Sequence, residues 1–221
     1  MTVRRDYGTF SKAAGRLLKP MVEPLAYQQI DGVAFGRQRG GWMEAFFLQQ
    51  NAFGTGDFTV SVGLYVPGLD DLWQEEARSR SVGLIISTSL HNELPSDASA
   101  GSYTAADKSE LIKSLTRVSC DLRFIESWFS SFTSMSDIAA AYTSRTKGPV
   151  AAIQYGFLLI LAGQLEEARS ALEYAQRKWQ MIVREEDPYL QRQRPGKESL
   201  SFYALRVHRL KVVEDALRAL V

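Results

Sequence analysis

The segment from Phe46 to Pro67, FFLQQNAFGTGDFTVSVGLYVP, decides the fold class. In its second half, apolar side chains occupy every second position: Phe58, Val60, Val62, Leu64 and Val66. The residues between them are mostly small or polar: Thr59, Ser61, Gly63 and Tyr65. Alternation with a period of two is typical of a β-strand that buries one face. The pattern therefore predicts a half-buried strand that ends at Pro67-Gly68.

Gly54-Thr55-Gly56 raises the question of a phosphate-binding loop. Such loops precede a helix whose N-terminus faces the anion. Here the glycines precede Asp57, whose charge would repel an anion, and then a strand. The segment is therefore predicted to be a turn between two strands, with glycines at positive φ. No cofactor is predicted.

The neighbouring segments extend this pattern into an α+β fold. Trp42 to Gln50, Val33 to Gln38 and Ser81 to Ser89 are predicted strands, joined by connections mostly too short for crossover helices. We expect an N-terminal helix ending near Pro20, an antiparallel sheet of about four strands and a C-terminal helical region of four to five helices. A loop from His91 to Asp107 separates a sheet portion, 1–107, from a helical portion, 108–221, and the two are expected to pack as one compact unit.

In the helical portion, an apolar stripe predicts one long helix: Leu111, Leu115, Val118, Leu122, Ile125, Phe129 and Phe132. Further on, residues 148–178, GPVAAIQYGFLLILAGQLEEARSALEYAQRK, predict a helical hairpin with Gly163 in its turn. Gly156, Ala168, Leu172 and Ala175 resemble the small and large positions of one tetratricopeptide repeat. Because arrays of such repeats need about three copies and only one is found, we expect a packed hairpin rather than a peptide-binding array.

Composition and charge disfavour several classes of function. The net charge is +1, which gives no basic field for nucleic acid. The most apolar run, FLLILA at 157–162, is too short to span a bilayer, so no membrane partner is predicted. The single cysteine, Cys120, cannot form an intrachain disulfide, and the N-terminal residues lack the pattern of a secretory signal. We expect a cytoplasmic protein.

Catalytic and metal-binding motifs are missing from the sequence. The two histidines, His91 and His208, lie far apart and have no companions at metal-ligand spacing, so no metal site is predicted. His91 follows a predicted strand and is a candidate for acid–base work, but a solvated loop histidine explains it as well.

The first part of the chain resembles a known family. Within residues 6–90, the matching positions are Leu18, Lys19, Pro20, Phe35, Arg37, Trp42, Gln49, Asn51, Phe58, Val60, Gly63 and Tyr65. Their order resembles the DUF4304-type families of bacterial proteins, although Gly32 and Phe35 are spaced further apart than in that pattern. The resemblance implies an α+β domain with a curved antiparallel sheet and no established activity.

Two functional hypotheses follow. The first is a non-catalytic protein-binding module, such as an immunity-type protein that binds a toxin. Residues 46–107 hold two basic and eight acidic residues, a net charge of −6, which suggests a basic partner; a solvated acidic face is the alternative. The second is a small-ligand-binding protein or enzyme that uses the outer sheet face. The candidate binding residues are Arg37, Gln49, Thr59, Ser61, Tyr65 and His91.

Overall fold

This computed structural model describes residues 7–51, 56–67, 69, 84–95, 103–143, 148–192 and 197–220. Contacts divide the chain into two compact units. The sheet unit comprises Met1–Pro67 and Arg80–Phe132, and the helical unit comprises Gly68–Ser79 and Thr133–Val221. The sequence placed a boundary at 107/108, where strands give way to helices. The contact boundary lies at 132/133, so the first helices after the strands belong to the sheet unit.

The sheet is antiparallel throughout. Its strands are β1 (Gln28–Asp31), β2 (Ala34–Arg39), β3 (Trp42–Gln50), β4 (Asp57–Tyr65), β5 (Ile86–Ser89) and β6 (Tyr103–Thr104). The strand order is β1-β2-β3-β4-β5, and β6 also pairs with β4. Because β6 pairs with Asp57 and Phe58 and β5 pairs further along, both short strands lie along the same edge of β4.

The helices are divided between the two units. The sheet unit contains α1 (Tyr7–Val22), α2 (Lys108–Asp121) and α3 (Glu126–Ser130). The helical unit contains α4 (Met135–Thr143), α5 (Pro149–Leu161), α6 (Leu165–Arg192) and α7 (Lys197–Ala219). Short 3-10 turns at Glu23–Leu25, Leu90–Glu93 and Leu122–Ile125 connect several of these elements.

The α+β class, the N-terminal helix and the antiparallel sheet are confirmed, with more elements than predicted. Within the described ranges the sheet has six strands rather than about four, because β1 and β6 were not predicted. All four residues of β1 are exposed and show no alternation, and β6 is only two residues long. Six α-helices follow the strands in the described ranges rather than four to five. The predicted long helix is interrupted by the 3-10 turn at Leu122–Ile125.

The alternation in β4 gives the sheet one covered face and one outer face. The covered face carries side chains that are at most 1% exposed: Phe58, Val60, Val62 and Leu64 of β4, with Phe46 of β3 and Phe35 of β2. Phe10 of α1 packs against Phe58, with ring centroids 5.5 Å apart. The apolar stripe from Leu111 to Phe132 is buried as the spacing predicts. On the outer face Thr59 is exposed, whereas Ser61 and Tyr65 are half-buried.

Close approach of two strands explains why position 63 holds a glycine. A Cβ atom on Gly63 would lie 2.2 Å from the carbonyl oxygen of Ile86 on β5. Since that oxygen is backbone, no side-chain rotation could relieve the clash. Glycine at this position therefore allows β4 and β5 to pair.

Helix α1 ends near Pro20, as predicted, and some other local predictions lie outside the described residues. Helix α1 continues through Pro20 to Val22, because a proline in the last turn removes only one of the helix hydrogen bonds. The glycine turn falls largely on residues 52–55 and lies outside the description, although Gly56 has the expected positive φ, +81°. Residues 81–83 of the predicted strand Ser81–Ser89 and residues 96–102 of the predicted loop also lie outside it.

Candidate functional site

Four of the six candidate binding residues share the outer face of the sheet. Gln49 on β3 is directly opposite Thr59 on β4, and the Thr59 hydroxyl donates to the Gln49 carbonyl oxygen at 3.5 Å. Ser61 and Tyr65 follow on the same face of β4, because residues two apart on a strand point the same way. Gln49, Thr59, Ser61 and Tyr65 thus form a polar row, in which Gln49 and Thr59 are neighbours and Tyr65 lies about 20 Å from Thr59 along β4.

The other two candidates lie elsewhere. Arg37 on β2 is directly opposite Glu44 on β3. Glu44 and Gln49 are an odd number of residues apart on β3, so their side chains point to opposite faces of the sheet. Arg37 is therefore on the covered face. His91 is exposed and lies in the 3-10 turn that follows β5. The sequence placed Arg37 with the outer-face row, because the register between β2 and β3 could not be read from one strand alone.

Arg37 is the centre of an ionic cluster, formed by Arg37, Arg39, Glu44 and Glu126. Its Nε donates to Glu44 Oε2 at 2.5 Å and its Nη2 donates to Glu126 Oε2 at 2.5 Å. Arg39 Nη1 donates to Glu44 Oε1 at 2.7 Å. The Glu44 side chain is 0% exposed. Both oxygens of a fully buried carboxylate are therefore satisfied by guanidinium groups, as burial of a charge requires.

Aromatic rings complete the surroundings of Arg37. The guanidinium carbon lies 4.9 Å from the ring centroid of Tyr27 and 5.9 Å from that of Phe129, within cation–π range. Burial by itself would lower the pKa of Arg37, but hydrogen bonds to Glu126 and Glu44 outweigh it and raise this pKa above its usual value. Arg37 is thus a permanent cation that joins β2, β3 and α3.

A second polar link joins β6 to α2. The Tyr103 hydroxyl donates to Asp121 Oδ2 at 2.9 Å, and Arg117 Nε lies 3.3 Å from the same oxygen. Burial, followed by the nearby charge of Asp121, raises the pKa of Tyr103 above its usual value. The arrangement fixes a two-residue strand that has few ladder hydrogen bonds of its own.

Metal-ligating groups do not assemble in the described part of the chain. Among those residues, no three His, Cys, Asp or Glu side chains are placed to hold a metal ion. Cys120 is an exposed thiol on α2. None of the helices in the described ranges is long and apolar enough to cross a membrane.

The predicted hairpin is present in the helical unit as α5 and α6. Gly163 has φ of +75° in the turn between them, a conformation that favours glycine. A Cβ atom on Gly156 would lie 2.7 Å from two atoms of Leu172, whose side chain is fully buried. The two helices thus approach closely because position 156 has no side chain.

A groove of about 560 Å³ runs along one side of this hairpin. We call it the tyrosine groove, and its described lining residues are Gly148, Ala152, Tyr155, Glu167, Ser170, Ala171 and Tyr174. The small side chains of Ala152, Ser170 and Ala171 leave space between the two tyrosines. Tyr174 is 43% exposed. The groove therefore presents aromatic surface together with one carboxylate, Glu167.

The face of α6 that lines the groove continues beyond it. Lys178 and Met181 follow Tyr174 at spacings of four and seven residues, which places them on the same side of the helix. Met181 is 47% exposed. From Glu167 to Met181 the face is about 21 Å long at 1.5 Å per residue. The face therefore extends about 10 Å beyond Tyr174 and presents Tyr174 and Met181 together with the charged residues Glu167 and Lys178.

A second cleft, of about 500 Å³, lies between α6 and α7. Its cations already have partners in this chain. Arg169 Nη2 donates to the Leu220 carbonyl oxygen at 2.5 Å, and Arg218 forms an ion pair with Asp215. The second cleft is therefore less suited than the tyrosine groove to bind a charged group from outside.

Sequence reasoning found the hairpin and missed both the groove and Glu44. Glu44 was nevertheless predictable, because it alternates with Phe46 and Leu48 along β3. That spacing places its carboxylate on the covered face. No spacing within one segment predicted the groove, because Tyr155 and Tyr174 are on different helices. The chain matches no protein-family model, no curated protein and no solved structure. The resemblance to DUF4304-type proteins stays a prediction.

Proposed function

We propose that this protein is a non-catalytic module that binds another protein, and that the tyrosine groove is its contact surface. The observation that carries the proposal is the exposed face of α6, on which Tyr174 and Met181 are 43% and 47% exposed. Tyrosine and methionine are enriched at protein–protein interfaces, where an amphipathic ring contributes contact area at low entropic cost. A face of about 21 Å is suited to an extended partner rather than to a single small molecule.

The ionic cluster supports a binding role rather than a catalytic one. Arg37 and Glu44 pair with each other, and their remaining partners are Glu126 for Arg37 and Arg39 for Glu44. Their hydrogen bonds join structural elements, so neither group is poised for proton transfer. An immunity-type protein that binds a toxin is one form of such a module.

Differential capture tests the proposal. The wild-type protein and a Tyr155→Ala/Tyr174→Ala variant would be immobilised and exposed to lysate of the source organism, and retained proteins identified by mass spectrometry. Phe124→Ala is the matched control, because Phe124 is an aromatic residue that is 38% exposed but lies in the sheet unit. We expect a protein that the wild type and the control retain and the double variant loses. Equal retention by all three, or no specific retention, would refute the proposal.

A small-ligand site on the outer face is the second candidate. The observation that favours it is the polar row of Gln49, Thr59, Ser61 and Tyr65 on adjacent strands. A metabolite panel screened by thermal shift tests this candidate, with Gln49→Ala as the variant that should lose any stabilisation. If no compound stabilises the wild type selectively, this candidate is rejected.

A further inference from the structure

We infer that the tyrosine groove takes an arginine or lysine side chain from a basic segment of the partner protein, with its charged group near Glu167 and its stem against Tyr155 and Tyr174. This inference rests on the proposed function and names the chemistry of the partner. It follows from the charge, the aromatic surface and the space that the lining residues provide.

Glu167 supplies the complementary charge. Its side chain is exposed, and no hydrogen bond or ion pair joins it to a residue within the described ranges. Acidic residues in the first turn of a helix also stabilise the helix through its dipole, and Glu166 and Glu167 both occupy the first turn of α6. Only Glu167 lines the groove, however. Comparing a substitution at Glu166 with one at Glu167 therefore separates the effect on helix stability from the effect on ligand binding.

The tyrosines supply surface for the rest of a basic side chain. Arginine and lysine carry apolar stems that pack on aromatic rings, and their cations are attracted to ring faces within about 6 Å. Ala152 and Ala171 have no side chains beyond Cβ, so a stem of several methylene groups has room beside the rings. A long cationic side chain thus fits the groove better than a short acidic one, which Glu167 would repel.

Lys178 shows that Tyr174 already accommodates a cation of this chain. The Lys178 Nζ atom lies 5.7 Å from the centroid of the Tyr174 ring. An incoming cation would share this ring and meet the repulsion of the lysine. Removing the lysine charge should therefore strengthen the binding of a basic segment, whereas removing the Glu167 charge should weaken it.

The test uses protein labelled with ¹⁵N and with ¹³C in its tyrosine rings, titrated with the capped peptide Ser-Leu-Arg-Leu-Ser. Parallel titrations use the same peptide with citrulline, the neutral analogue of arginine, or with glutamate. We expect the arginine peptide to shift the ring signals of Tyr155 and Tyr174, and the other two peptides to bind at least threefold more weakly. The dissociation constant should rise about threefold in Glu167→Gln and fall about twofold in Lys178→Met, as for exposed charge pairs.

Glu166→Gln is the matched control, because it removes the same charge from the same helix end outside the groove. Equal weakening by Glu166→Gln and Glu167→Gln would overturn the inference in favour of general attraction, as would equal binding of the citrulline peptide. Absence of shifts at both tyrosines would overturn it too. Any of these outcomes would overturn only the inference about a basic side chain. The proposed function would be retained if the Tyr155→Ala/Tyr174→Ala variant still fails to capture the partner protein. If capture is unaffected by that variant, the proposed function fails instead.

Discussion

Replacing Glu44 by glutamine should destabilise the sheet unit by about 3 kcal/mol. The substitution keeps the shape of the side chain but removes the charge that accepts from Arg37 at 2.5 Å and from Arg39 at 2.7 Å. A glutamine amide also brings an NH₂ group towards guanidinium groups, which are donors only. Breaking a buried ion pair from one side costs about 3–5 kcal/mol. The lower end applies because the side chains of Arg37 and Arg39 are 19% and 42% exposed, so water partly solvates them.

The measurement should report on the sheet unit alone, because a chain of two units need not unfold in one transition. Urea-dependent amide hydrogen exchange of β3, followed by NMR, gives the free energy of opening for that strand. Glu126→Gln is the control: it also removes a carboxylate from Arg37, but the Glu126 side chain is 43% exposed, so the loss should be about 1 kcal/mol or less. A loss below about 1 kcal/mol for Glu44→Gln, or equal losses for both variants, would refute this reasoning.

Three further predictions concern packing and pH. Gly63→Ala should cost about 3 kcal/mol and expose the β5 amides to exchange, because its Cβ would meet the Ile86 oxygen at 2.2 Å; unchanged protection would contradict this. Gly156→Ala should lower the free energy of unfolding by about 1 kcal/mol, measured in urea, because the clash with Leu172 at 2.7 Å outweighs the gain in helix propensity; a stabilised variant would show the reverse. Burial and a neighbouring carboxylate raise the pKa of Tyr103, so its contribution to stability should be complete below pH about 10 and be lost as pH rises towards the folded-state pKa. Tyr103→Phe should reduce that alkaline slope in thermal unfolding, and an unchanged slope would count against it.

The central strands were predictable because the order of apolar and polar residues within each strand shows which side chains are buried. Phe58, Val60 and Val62 alternate with polar or small residues, and burial of one face of a sheet imposes that pattern directly. The helical stripe around Leu115 and Phe129 was predictable for the same reason, because burial of one helix face imposes its spacing. Its division at Leu122–Ile125 was not, since a 3-10 turn changes the residues per turn only slightly and leaves the buried positions in place.

The remaining elements depend on neighbours that a single segment does not specify. Strand β1 is fully exposed, so no burial pattern marks it, and its hydrogen bonds to β2 alone define it. Strand β6 is held by Tyr103 and Asp121, which lie 18 residues apart in the chain. Arg37 illustrates the same limit for charges, because only the register of β2 and β3 places it opposite Glu44 on the covered face.

The tyrosine groove and the helical hairpin have a common origin in small side chains. Gly156 lets α5 approach α6, and the fully buried Leu172 fills the space between the helices. Ala152 and Ala171 are half-buried, and both line the groove on the outer side of the same hairpin. The sequence pattern therefore has two consequences, a tight interior and an open exterior. The predicted repeat-like spacing accounted for the first, and the second follows because α5 and α6 lie close enough for Tyr155 and Tyr174 to line one groove.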